Sequence, residues 1–215
     1  MARDLPTTLA WVDTGTRLCA SAIAGLTEAE YGAASALPGW TRKHVVAHLA
    51  ANAEAIGNLV HWARTGEETP MYASPEARAA GIERGSRLGA DELARWFTES
   101  AATLSAAMAA LSEEEWRAEV VTARGRAVPA SETPWMRARE VMVHAVDLAT
   151  GLTFADLPDG FLRALQEEIR AKRGHDAVPD VVGSLADVTA YLAGRPWTAV
   201  TTTGGVPPPA LPAWL

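Results

Sequence analysis

The stretch Trp135-Met136-Arg137-Ala138-Arg139-Glu140-Val141-Met142-Val143-His144-Ala145-Val146-Asp147-Leu148 constrains this chain more than any other. Glu140 and His144 lie four residues apart, one helical turn, and so share a face. Around them Val141, Met142, Val143, Ala145, Val146 and Leu148 leave little polar surface. A helix of this kind has to be buried or nearly so, and an ionisable pair taken out of water without a partner is costly. A divalent cation would remove that cost, so the pattern points to a metal site inside a helical protein. The competing reading is an exposed ion pair, which this spacing often makes.

Upstream, Thr41-Arg42-Lys43-His44-Val45-Val46-Ala47-His48-Leu49 reads as a second helix with two more imidazoles, again four residues apart. His44 stands in the first turn beside Arg42 and Lys43, where a solvated residue is the alternative. His48 lies between Ala47 and Leu49, where a hydrogen-bonded core histidine is the alternative. Spacing does not choose between them. Two histidines and a glutamate from different helices would leave one coordination position open, as a catalytic zinc does and a structural zinc does not. His61 and His175 have polar or loop-like neighbours and no pairing partner. Asp147, three residues beyond His144, suits an acceptor that orients an imidazole from behind, or an ordinary helix-end charge.

The 215 residues suffice for one good-sized domain, or one with a small appendage. With 48% hydrophobic and 21% charged residues the chain has the composition of a globular protein. A net charge of −7 without clustered Lys and Arg argues against nucleic acid or an anionic membrane as partner. Cys19 is the only cysteine, which excludes an internal disulfide and a thiolate-rich zinc cage. Any metal must then be held by His and carboxylate. Met1-Ala2-Arg3-Asp4-Leu5-Pro6 carries no apolar signal core, and no run is long enough to cross a membrane, so the expected location is the cytoplasm. Of the eight tryptophans, Trp40, Trp62 and Trp135 lie near helix boundaries, as pocket walls or as core.

Leu9, Val12, Thr16, Cys19, Ala20 and Ile23 recur at helical spacing and predict a helix over about 5 to 25. Pro38-Gly39 breaks the chain, and Thr41 caps a second helix running to about Arg64, with Gly66 as its stop. Ser74-Pro75 starts a short helix, and a long one spans Asp91 to Leu111. A small hairpin fits within 118–130, and Thr133-Pro134 opens the helix carrying Glu140 and His144, which Gly151 ends. Four long helices predict a mainly α protein, a four-helix bundle over residues 1–152. Residues 153–215 would form a short C-terminal α/β or α region, with helices at about 158–173 and 184–194 and a non-helical, proline-rich tail.

Leu37-Pro38-Gly39-Trp40-Thr41 leading into Val45-Val46-Ala47-His48-Leu49, followed about ninety residues later by Glu140 to Leu148, resembles the mycothiol-dependent maleylpyruvate isomerase family, a branch of the DinB-like metal-binding bundles. The resemblance extends through Gly183-Ser184-Leu185-Ala186-Asp187 and Tyr191-Leu192-Ala193-Gly194-Arg195 to Leu211-Pro212-Ala213-Trp214-Leu215. It implies zinc, or another divalent metal, on His48, Glu140 and His144, and a C-terminal region that helps to close the active site. It also implies mycothiol as the thiol cosubstrate, with no catalytic side chain beyond the metal-bound external thiol. That thiolate would add to the cis double bond of maleylpyruvate, and elimination after rotation would give fumarylpyruvate. A family arginine that clamps the substrate aligns with Arg195; Arg42 and Arg139 are the other cationic candidates for a diacid.

Two further functions fit the same residues. A thiol S-transferase would join mycothiol or another small thiol to an electrophile and let a thioether accumulate. A non-catalytic regulatory or interaction protein would use the metal only to stabilise the bundle, its fourth position closed by a side chain such as His44. The expected partners are a small substrate and a small thiol, with no nucleic acid and no membrane, in a monomer or homodimer.

Overall fold

The computed structural model describes residues 3–174 and 178–214. His175, read above as unpaired, lies outside them. The chain divides into two compact units, Asp4–Thr150 and Gly151–Leu215. In the first, α1 (Leu5–Ile23), α3 (Arg42–Thr65), α5 (Ala90–Ala109) and α7 (Thr133–Asp147) are the four long helices, with α1 packed along α7 and α3 along α5. Each starts and stops where the chemistry allows. The Asp4 carboxylate accepts from Thr7 N at the head of α1, and Pro6 and Pro134 occupy first-turn positions whose N–H would be idle. Gly66, at φ 74°, ends α3 in the left-handed region.

Shorter elements fill the connections. Helix α2 (Glu28–Gly32) is fixed by a reciprocal cap between Thr27 and Glu30, and α6 (Glu113–Arg117) by the same device between Ser112 and Glu115. Both were absent from the expected elements. Helix α4 (Pro75–Gly85) leans on α3. Its last residue makes this close approach possible: a Cβ on Gly85 would lie 2.7 Å from Ala47 Cβ and 2.7 Å from the Trp96 ring. The expected hairpin forms as β1 (Glu119–Val121) and β2 (Ala127–Pro129), antiparallel, with buried Val120 opposite Val128.

Ile56, Leu59 and Val60 of α3, Leu104 and Met108 of α5, Trp116 and the two hairpin valines share one apolar cluster. On the other side of the bundle Gly15 lets α1 reach α7, since a Cβ there would fall 2.5 Å from Val141 Cγ2. Helix α7 is therefore enclosed, with none of its residues exposed.

In the second unit α8 (Asp159–Arg173) packs against α9 (Leu185–Leu192), and β3 (Val181–Gly183) pairs antiparallel with β4 (Val200–Thr202), making this region α/β. The tail is ordered against these helices. Trp214 N donates to Ala193 O, Arg173 Nη2 to Pro212 O, and Lys172 and Arg173 flank the Trp214 ring. Gly194, at φ 65°, is required at this point, because a Cβ would lie 2.4 Å from Pro212 O.

Candidate metal centre

His48 from the second turn of α3 meets Glu140 and His144 from α7, with one ligand-capable atom of each within 4.8 Å of the others. Glu140 Oε2 stands 2.8 Å from His48 Nε2 and 3.3 Å from His144 Nε2. Both histidines are buried, and Glu140 keeps partial access to solvent. Burial would raise the Glu140 pKa, but hydrogen bonds and charge from the two imidazoles hold the carboxyl well below its usual range. Burial would lower His144, but Asp147 and Glu140 on its two nitrogens raise it to about 9. His48 has its pKa lowered by burial and is neutral.

The outer nitrogens of the two rings differ. His144 Nδ1 donates to Asp147 Oδ2 at 2.8 Å, which leaves the lone pair of the neutral ring on Nε2, toward Glu140. His48 Nδ1 instead accepts from Arg78 Nη2 at 3.3 Å. Asp147 is fully buried, and its backbone carbonyl also accepts from Ala36 N. The donor set, two imidazoles and a carboxylate converging from two helices, suits zinc or a similar divalent ion.

His44 stays apart from this cluster. Its Nδ1 accepts from Thr41 N and from the Thr41 hydroxyl, and its Nε2 faces Glu83 of α4 at 3.4 Å. It therefore caps α3 and does not supply the fourth side chain that a closed site would need. Trp40 walls the cluster, its ring 5.7 Å from His48 and 6.1 Å from His44. Trp135 is instead core, tilted against Trp11 at 5.8 Å, and Trp62 packs against the apolar cluster.

The arginines distribute in a way sequence reasoning missed. Arg42 donates to Leu148 O, Ala149 O and Glu30 O, so it holds the carbonyls left bare at the end of α7. Those contacts also fix Ala149, a non-glycine residue at φ 53°. Arg139 lies over the Trp135 ring. Arg195 is buried in the second unit, where Nη1 donates to Ala193 O.

Fully buried Arg137, unremarked in the sequence, donates through Nη1 to Leu49 O and Asn52 Oδ1, tying α7 to α3 one residue from His48 and three from Glu140. Its position three residues before Glu140 on the same face was the available signal. Nearby, the Arg78 guanidinium lies over the Tyr72 ring at 5.8 Å. Nothing in the sequence connects Tyr72 or Arg78 with His48. Cys19 is buried on α1, its Sγ donating to Val141 O at 3.1 Å, and burial pushes its pKa up to about 12.

Residues 12–149 match the family described as the mycothiol maleylpyruvate isomerase N-terminal domain. A crystal structure of a mycothiol-dependent maleylpyruvate isomerase superposes with a TM-score of 0.92 at 42% identity, over 99% of this chain and 98% of that one. A histidine-to-alanine variant of such an isomerase matches with the same TM-score, identity and coverage. None of the curated proteins compared with the chain matches it. From the domain match and the near-complete structural likeness, the chain belongs to the mycothiol-dependent maleylpyruvate isomerase family.

Proposed function

We propose that this protein is a zinc- and mycothiol-dependent cis–trans isomerase of maleylpyruvate or a closely related unsaturated diacid. The observation that carries the reading is the convergence of His48, Glu140 and His144, in a chain 42% identical to a mycothiol-dependent maleylpyruvate isomerase over 99% of its length. A divalent cation held by these three residues would accept a thiol sulfur and draw off its proton near neutral pH.

The chain's own groups prepare for that chemistry. Asp147 fixes the tautomer of His144, and Arg42 and the Ala36 amide hold the end of α7 on which Asp147 sits. The Arg137–Asn52 contact sets the spacing of the two ligand-bearing helices. Cys19, protonated and buried, takes no part, which fits a sulfur brought in from outside. The substrate's double bond becomes single when the sulfur adds, turns, and re-forms as trans when the sulfur leaves, so the thiol acts as a nucleophilic catalyst. Arg195 is proposed as one carboxylate clamp, on its alignment with the family's C-terminal arginine.

The test is turnover of maleylpyruvate by purified, zinc-loaded protein with mycothiol, followed by fumarylpyruvate formation and by mass spectrometry of the thiol. The expected result is a trans product with the thiol recovered unchanged, and no turnover after Glu140→Ala. An accumulating thioether would replace this reading with S-transfer, and an inert zinc-loaded protein would end it.

A further inference from the structure

Arg78 stands apart from the other arginines near the centre. Arg42 is committed to three carbonyls and Arg137 to Leu49 O and Asn52, and both serve the fold. Arg78 is half-buried on α4, forms no ion pair among the described residues, and rests over the Tyr72 ring at 5.8 Å. Of the carboxylates of its own helix, Glu83 is taken by Arg87 and His44, and Glu76 stands exposed in the first turn. A cation this close to a buried cluster, with no counter-charge of its own, is suited to an anion brought in by a ligand.

Its one contact with the cluster cannot persist when His48 serves as a ligand. A neutral imidazole carries a single N–H. With Nδ1 accepting from Arg78, that proton sits on Nε2 and is donated to Glu140 at 2.8 Å. Were His48 to ligate a cation through Nε2, its proton would have to sit on Nδ1, facing the guanidinium donor to donor. The Arg78–His48 bond would then be lost and the fork would be free. The His144–Asp147 bond is unaffected, because its proton already lies on Nδ1.

We propose that Arg78 is a specificity residue of this site: loading of the triad releases its guanidinium from His48, and with the Tyr72 phenol beside it, it takes a carboxylate of the unsaturated diacid. The inference rests on the diacid reading of the preceding subsection. It makes metal loading and anion binding cooperative through one side chain, and it assigns this clamp to α4.

The experiment is calorimetric titration of zinc-loaded protein, without thiol, with maleate and with its uncharged dimethyl ester, in the wild type, Arg78→Ala and Arg78→Lys. Zinc content and mycothiol affinity are measured alongside, and a thermal melt checks folding. Arg78→Ala should weaken maleate binding about tenfold to a hundredfold, the range for a lost charge-assisted bond. Binding of the ester, zinc content and thiol affinity should be unchanged, and Arg78→Lys should recover part of the loss. With maleylpyruvate the same change should appear chiefly in KM. The proposal is overturned if Arg78→Ala binds maleate within twofold of the wild type, if the ester is weakened equally, or if the variant loses its zinc. Failure of the isomerase reading is a separate result: no turnover by the wild type with mycothiol, while maleate binding still depends on Arg78.

Discussion

The two halves of the centre are built to opposite rules. On the α7 side, Glu140, His144 and Asp147 form a line of alternating acceptor and imidazole, each already in the state a ligand needs apart from one removable proton. On the α3 side, His48 is backed by a guanidinium, which favours the tautomer that does not ligate through Nε2. One half is preorganised and the other must rearrange. A rigid half and a convertible half together would let a site hold a cation firmly and still register what else has arrived.

The largest test of this contrast removes a half entirely. His144→Ala or His48→Ala should each reduce bound zinc from one equivalent to none by elemental analysis and abolish turnover. Next comes the sign difference between the two backing residues. Asp147→Asn should weaken zinc binding about tenfold to a hundredfold in a competition titration, as loss of an orienting carboxylate does. Arg78→Ala should leave zinc affinity unchanged or slightly stronger, since it removes a donor that opposes ligation. Equal losses in both would dissolve the comparison.

The pH response sharpens it further. In the metal-free protein the His144 pKa is raised from 6.5 to about 9. Its protonated form therefore adds stability that is fully present below pH 6.5 and is lost as the pH rises through about 9. Zinc binding on the proposed triad would displace that proton and should tighten about tenfold per pH unit across the same window. The melting temperatures of zinc-loaded and chelator-treated protein should thus diverge from pH 6.5 to 9, and a constant gap would contradict the assignment.

Arg137→Ala should destabilise by about 3 kcal/mol in urea unfolding, because it opens a cavity and strips Leu49 O and Asn52 of their buried donor. The smallest effect is a gain. Ala149→Gly relieves a left-handed φ of 53° and should raise stability by about 1 kcal/mol.

Much of the bundle was legible because its signals are local. Apolar spacing, Thr41, Pro134 and Gly66 placed the long helices to within a few residues of their ends. Helices α2 and α6 were missed, because five residues are too few to show periodicity, although their reciprocal caps Thr27-Glu30 and Ser112-Glu115 stand in the sequence. Strands β3 and β4 have three residues each, and Val182 points an apolar side chain to solvent, so alternation had nothing to register. The triad could be read from one helix face plus a family likeness. Arg42 stood as a further cationic candidate for a diacid, and the carbonyls it holds, on Leu148 and Ala149, lie more than a hundred residues away. Arg78 and Arg137 acquire their meaning only when α3, α4 and α7 come together.

Cys19 has a practical consequence. The chain's sole thiol is sealed beneath α7, donating to a carbonyl and too weakly acidic to react at ordinary pH. A cysteine introduced on the outer face of α4 would be the one position open to a maleimide probe, with no need to delete the native residue. Fluorescence from that probe could then follow the approach of each ligand in an otherwise unaltered protein.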